Sequence, residues 1–310
     1  MPILLKKANR IINRYGDGNR GPIFICLCGV HGNELAGPKA VKKVFNYLQV
    51  NHPTFKGEFI GIEGNTPALK LQQRFIHTDL NRLWTDERIQ KVKETPNALL
   101  NNEEIQQKEL MELFDQLLID TEDREVLLMD IHTTSAEGEI PFIVTNSNPY
   151  SIKIALQLGI PVIKEVNKVL SGTTLQYFGN QYISAFGIEA GQHDDPASVK
   201  RVEAAIWTSL VGAGCMTESD INRLTEKRNF LRKTSKQVPS LVHFTYRYPV
   251  VPSDNYETLP GFKNFDPITK GQQIAQNNGN PVLAPHDGYL LMPLYQKQGE
   301  DGFFIVNEDQ

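Results

Sequence analysis

Gly29-Val30-His31-Gly32-Asn33-Glu34 decides how the rest of this chain reads. It follows Pro22-Ile23-Phe24-Ile25-Cys26-Leu27-Cys28, an apolar run of buried-strand type. It precedes Leu35 to Leu48, whose apolar positions recur at helical spacing. A histidine and a glutamate therefore share a strand-to-helix turn, which in open α/β sheets is the edge where ligands bind. Gly29 and Gly32 let the backbone turn tightly there. An imidazole and a carboxylate folded onto one point make half of a zinc site. Catalytic zinc commonly takes three protein ligands, His2Glu among the known sets, and keeps a fourth place for water.

Two further apolar strands end in residues of the same kind. Glu125-Val126-Leu127-Leu128-Met129-Asp130-Ile131-His132 ends in a histidine, and Ser184 through Ile188 runs into Glu189. If these strands are parallel neighbours, their carboxyl ends converge, and His31, Glu34 and His132 form a His2Glu zinc site with one open position. A chance His-x-x-Glu pair on a surface turn is common, so the weight lies on the three endings sharing one polarity. Glu189 beside a zinc-bound water can take its proton and return it to a leaving amine. Asp130, two residues before His132, points the same way along the strand and can accept the second N–H of His31 or of His132. Arg74 ends the segment before, and Asn81-Arg82 lie within, Phe75 to Trp84, which fits neither helical nor strand periodicity and reads as a functional loop. A guanidinium matches a carboxylate bidentately, and a second one can stabilise an oxyanion.

The 310 residues exceed the usual size of one domain, so two domains are expected, with a boundary near residue 235. The apolar share is 40% and the charged share 22%, with 36 acids against 32 bases; this is ordinary soluble composition with no basic tract, which argues against nucleic acid as a partner. No apolar run approaches the ~20 residues of a membrane helix, and Met1 to Arg14 has no sustained apolar segment of a signal peptide. Three cysteines without an export signal suggest reduced thiols in the cytoplasm, with Cys26 and Cys28 as core residues.

Alternating strands and helices up to about residue 235 predict an α/β fold, a mostly parallel or mixed sheet flanked by helices. Helices are expected at Leu35–Leu48, Ala68–Arg74, Glu103–Ile119, Ser151–Leu158, Pro196–Leu210 and Thr217–Arg232. Asp86 to Asn102 reads as polar surface. From Leu241 onward, strict alternation and Gly/Pro/Asn turns predict a smaller C-terminal β domain over 236–310.

Five motifs in order then make a resemblance specific. They are Gly29-Val30-His31-Gly32-Asn33-Glu34 through Gly37, Asn65-x-Pro67-Ala68, Arg74 followed by Asn81-Arg82, Asp130-x-His132-Thr133-Thr134-Ser135, and Gly187-Ile188-Glu189-x-Gly191. Together they resemble the succinylglutamate desuccinylase/aspartoacylase family, within the wider zinc carboxypeptidase-like fold. The resemblance implies one zinc ion on His31, Glu34 and His132, and Glu189 as general base and later acid. It implies Arg74 on the substrate carbonyl, and Asn81 with Arg82 on the carboxylate of the amino-acid product. The family's C-terminal domain narrows the channel and can supply a tyrosine, for which Tyr295 is the candidate and Tyr289 the runner-up. The implied substrate is a small anionic N-acyl amino acid; the oligomeric state stays open, a homo-oligomer included.

One departure stands out. Aspartoacylases carry an arginine shortly before the catalytic glutamate strand that helps to grip the acidic substrate. Here Gln176-Tyr177-Phe178-Gly179-Asn180-Gln181 has none, which weakens the support for a second negative charge. The other histidines carry no catalytic expectation, though His193 and His77 lie close enough in sequence to border the site. A metallocarboxypeptidase acting on short peptides would use the same zinc site and clamp. A non-catalytic binding module on this fold would be expected to lose a ligand or the base, and all four positions are filled.

Overall fold

The computed structural model describes residues 10–308, apart from 17, 19, 20, 120, 122, 147 and 180–182. Asn180 and Gln181 of the arginine-free segment thus lie outside the described residues. The strands in chain order are β1 Ile11–Tyr15, β2 Ile23–Cys28, β3 Glu58–Glu63, β4 Val126–Thr134, β5 Phe142–Thr145, β6 Val162–Lys164, β7 Ser184–Gln192, β8 Leu241–Pro249, β9 Tyr256–Thr258, β10 Pro267–Ile268, β11 Gln273–Asn277, β12 Asn280–Leu283, β13 Gly288–Leu291 and β14 Asp301–Glu308. Eleven of them form one mixed sheet in the order β1-β3-β2-β4-β7-β5-β6-β8-β14-β13-β10, and β12-β11-β9 form a small antiparallel sheet. The α/β fold expected from the sequence is therefore present.

The centre of the sheet, β3-β2-β4-β7, is parallel, and β5 enters antiparallel beside β7. Every residue of β2 and of β4 is buried, as strands covered on both faces require. Their alternation sorts the core into two layers. Phe24, Cys26, Cys28, Leu127, Met129 and Ile131 pack with residues of the helices Ala36–Asn51 and Pro196–Gly212. Ile23, Ile25, Leu27 and Leu128 pack on the other face with Leu110, Leu113 and Phe114 of the helix Asn102–Leu117. Cys26 and Cys28 are free thiols in the first layer, as expected, and burial pushes both thiols up from their ordinary range.

One expectation is refined and one changes. Residues 86–102 are mostly exposed, as expected, and they also carry a helix: Thr85 accepts from Arg88 N and caps Asp86–Glu94, which buries Ile89 and Val92. Two apolar side chains in nine residues are too few to signal a period. The helix expected over Thr217–Arg232 is broken. Asp220 accepts from Thr217 N and closes a short 3-10 turn, Arg223 adopts φ +57°, and the α-helix begins at Leu224. The proposed C-terminal unit opens with β8, which pairs parallel with β6 and antiparallel with β14, so it shares the main sheet.

The connection from residue 72 to 84 has little regular structure, yet it is pinned. The Glu103 carboxylate is fully buried and accepts from the N–H groups of Ile76, His77 and Thr78 and from the amides of Asn65 and Asn102. Burial alone would raise its pKa; the Ile76 N–H and the two amides outweigh burial and hold the carboxyl below its usual range. A carboxylate depressed in the folded state stabilises fully above its unfolded pKa and loses that contribution as pH falls through the folded value. Glu103→Gln should therefore cost about 1–3 kcal/mol at pH 7 by urea unfolding. The gap to wild type should narrow below about pH 4; a gap that stayed constant on acidification would contradict this role.

Candidate metal centre

Strand register builds the site. β2, β4 and β7 are parallel neighbours, with Cys28 opposite Ile131 and His132 opposite Glu189. His31 and Glu34 follow β2 on a turn in which Gly29 adopts φ +66°, a conformation that favours glycine. Gly32 lets that turn close on the next loop: a Cβ there would overlap the Ala68 carbonyl, and Gly32 N donates to Arg74 O at 3.1 Å. The same contact brings Arg74 to the sheet edge.

The Glu34 carboxylate lies between two imidazoles. Its Oε1 is 2.7 Å from His31 Nδ1, and its Oε2 is 3.0 Å from His132 Nδ1 and accepts from Thr133 N at 3.1 Å. The three residues are buried, and one ligand atom from each lies within 4.8 Å of the others. Burial would raise the Glu34 pKa, but the facing His31 and His132 rings outweigh it and hold the carboxyl well below the usual range. For His132, burial works downward, while Asp130 and Glu34 raise its pKa well above the ordinary histidine value.

Each imidazole has a second carboxylate behind it. His31 Nε2 is 3.0 Å from Asp79 Oδ1, and His132 Nε2 is 3.1 Å from Asp130 Oδ2. Of the two partners left open for Asp130, the geometry selects His132. Two imidazole nitrogens and a carboxylate, backed by carboxylates that fix the rings, suit zinc. Asp79 escaped the sequence reading although it stands two residues before Asn81. It caps the Leu80–Arg82 turn through Asn81 N and takes two N–H contacts from Arg74, through Nε at 3.2 Å and Nη2 at 2.9 Å. Burial would raise the Asp79 pKa; Arg74 and His31 hold it well below the usual range.

These groups line a cavity of about 120 Å³ with Arg74, Asn81, Arg82, Glu189 and residues of the 292–304 segment. Glu189 Oε2 has no hydrogen-bond partner. Burial pushes the Glu189 carboxyl up to about 8; the His132 ring pulls against that shift and the Glu34 carboxylate adds to it. Arg82 pairs with Asp301, which also accepts from Arg247 Nε at 2.5 Å. Burial lowers the Arg82 pKa, but Asp301 and Asp79 outweigh it. Asn81 Oδ1 accepts from Thr174 N at 2.9 Å, and the Thr174 hydroxyl, with one proton to give, lies between Asn81 Oδ1 and the Asp130 carboxylate.

Tyr295 is not brought to the cavity. Its hydroxyl accepts from Phe262 N at 3.0 Å and donates to Leu259 O at 2.7 Å, which turns the ring away. Its neighbour Gln296 lines the cavity, holding Asn33 Nδ2 at 3.1 Å and lying 3.3 Å from His193 Nε2. Tyr289 lies on β13 opposite Pro267, away from the cavity lining. His193 stands behind Thr133, with Nδ1 2.7 Å from its hydroxyl. His77 is more than half exposed, 3.7 Å from Glu103.

Comparison with known proteins places these features in context. Residues 20–207 match the family described as succinylglutamate desuccinylase/aspartoacylase catalytic domain. A probable aspartoacylase of Nostoc sp. is 30% identical over 131 residues, 42% of this chain and 41% of that protein. A succinylglutamate desuccinylase of a Shewanella species is 27% identical over 182 residues, 56% of this chain and 52% of that protein. The matched stretch thus spans about two-fifths to one-half of the length of these relatives. Among solved structures, succinylglutamate desuccinylase from Vibrio parahaemolyticus aligns with a TM-score of 0.64 at 16% identity, covering 96% of this chain and 84% of that one. The product-bound ectoine utilization protein EutE (DoeB) from Ruegeria pomeroyi aligns at 0.64 and 14%, covering 95% and 88%. At these identities the structures bear on the fold.

Asp79 supplies a test of the centre. Asp79→Asn keeps the size of the side chain but removes the charge behind His31 and beside Arg74. Zinc affinity, measured by competition with a chromophoric chelator, should fall about 10–100-fold. Unchanged affinity would show that Asp79 does not support the ligand.

Proposed function

This chain belongs to the succinylglutamate desuccinylase/aspartoacylase family, and from that premise we propose that it is a zinc-dependent amidohydrolase that removes an acyl group from an N-acyl amino acid. The observation that carries the reading is the buried His31–Glu34–His132 donor set with the unpartnered Glu189 oxygen lining the same cavity. The names of the relatives, desuccinylase and aspartoacylase, support acyl removal. The cavity of about 120 Å³ favours a small substrate over a peptide. The three cysteines, all free and buried, support a reducing compartment, the cytoplasm. No helix among the described residues is long and apolar enough to cross a membrane.

His31, Glu34 and His132 would hold one zinc ion, which when bound supplies Lewis acidity toward a carbonyl oxygen and acidifies water. Asp79 and Asp130 keep the two rings oriented for that task. Glu189 receives the proton of the attacking water and delivers it to the departing amine. Arg74, tethered to Asp79 by Nε and Nη2, keeps Nη1 3.8 Å from Glu34 Oε1, so it is free to meet charge developing on the carbonyl oxygen. Asn81 and Arg82 take the carboxylate of the amino-acid half.

The decisive variant is Glu189→Gln. It should retain about one zinc per chain by elemental analysis, while amine release from N-acyl amino acids falls by ~10²–10⁴-fold. Chelation should abolish wild-type release and added zinc should restore it. Full turnover in the variant would remove Glu189 from the reaction.

A further inference from the structure

On the deacylase reading, the apolar side of the cavity bears on the amino-acid half of the substrate. β-strand register places it. Asp130 faces Gly187 and Gly187 faces Val144, one row below the row that His132 and Glu189 share. Residues two apart on a strand point to the same face, so Gly187 leaves a gap where a side chain would stand beside Glu189. A Cβ there would meet nothing closer than 3.7 Å, and its neighbours are the Asp130 and Val144 carbonyls and the Leu175 side chain. The segment 166–175 closes the gap and is tied to the proposed carboxylate clamp, since Thr174 N donates to Asn81 Oδ1 at 2.9 Å and Trp84 N donates to Gly172 O at 3.1 Å. From that segment Val166, Leu170 and Leu175 line the cavity, with Val144, Met292 and Phe304.

The charges disfavour a second anion here. Among the described residues that line the cavity the arginines are Arg74 and Arg82; Arg74 is paired with Asp79, and Arg82 shares Asp301 with Arg247. Asp130, Glu300 and Asp301 lie on the same wall. An acidic side chain on the amino-acid half would leave water for apolar walls and meet these carboxylates, with neither arginine of the lining left unpaired, which costs heavily.

We propose that the cavity wall beside Gly187, formed by Val144, Leu175 and Phe304, is a specificity pocket for an uncharged aliphatic side chain on the N-acyl amino acid. The proposal rests on the deacylase reading for its substrate but not for its readout.

The test uses the zinc-loaded wild-type protein and Gly187→Val. The added Cβ would stand in ordinary contact with the Asp130 and Val144 carbonyls and the Leu175 side chain, and the two further methyl groups would narrow the cavity. For wild type, kcat/KM for N-acetyl-leucine and N-acetyl-methionine should exceed that for N-acetyl-alanine about tenfold or more. It should exceed that for N-acetyl-aspartate and N-acetyl-glutamate by about a hundredfold. In Gly187→Val the leucine-to-alanine ratio should collapse toward unity. Calorimetry of the free products on the same wild-type protein gives a second readout, with L-leucine binding more tightly than L-aspartate. Preference for aspartate in either assay, an unchanged ratio in Gly187→Val, or no binding of leucine overturns the pocket. If no N-acyl amino acid is hydrolysed while leucine still outbinds aspartate, the deacylase reading fails and the pocket stands.

Discussion

The Glu34 carboxylate, shared between the Nδ1 atoms of His31 and His132, is the contact on which the site depends. It joins a turn after β2 to the end of β4, and it does so because the two strands are parallel and in register. A one-residue slip would move every β4 side chain to the other face and put Asp130 and His132 into the layer packed by Ala36–Asn51 and Pro196–Gly212. That layer, filled by Leu127, Met129 and Ile131 in the observed register, is apolar, so burying the two polar side chains there opposes the slip. Core packing thus places the donors, and the polar chemistry inherits its geometry from hydrophobic burial.

Around that contact the buried charges form a closed set of pairs. His31 meets Asp79, His132 meets Asp130, Arg74 meets Asp79 and Arg82 meets Asp301. Isolated buried charges are costly, and pairing with good geometry is what makes them tolerable. Glu189 lacks such a partner and its pKa rises accordingly. A strongly perturbed carboxyl in a cleft has the character expected of a functional residue.

The strands, their polarity and the donors were legible because they rest on local signals: apolar runs, a strand-to-helix turn with glycines, and endings of one chemical kind. Asp79 was hidden because its position comes from a loop with no period, pinned by Glu103 through three backbone N–H groups. The Asp301 partner of Arg82 lies 219 residues away, and nothing in local spacing could join them. Tyr295 illustrates a different limit. Its segment does reach the site, but two hydrogen bonds at Leu259 and Phe262 decide which way the ring turns, leaving Gln296 as the inward residue.

The C-terminal strands do more than cover the sheet. Asp301 opens β14 and joins Arg82 to Arg247, a β8 residue, while Phe304 contributes apolar wall from the same strand. On the proposed reading, a carboxylate arriving at Arg82 would share a guanidinium already engaged by Asp301, so electrostatic attraction alone would hold a substrate weakly. Binding would then draw on contact with the apolar wall, which is how a neutral side chain would gain over an acidic one. The absence of an arginine in the described part of the 176–181 segment and the presence of Asp301 act in the same direction: both lower the positive charge available to the amino-acid half. Specificity would then follow from where the fold places its cations as much as from the residues proposed to hold the metal.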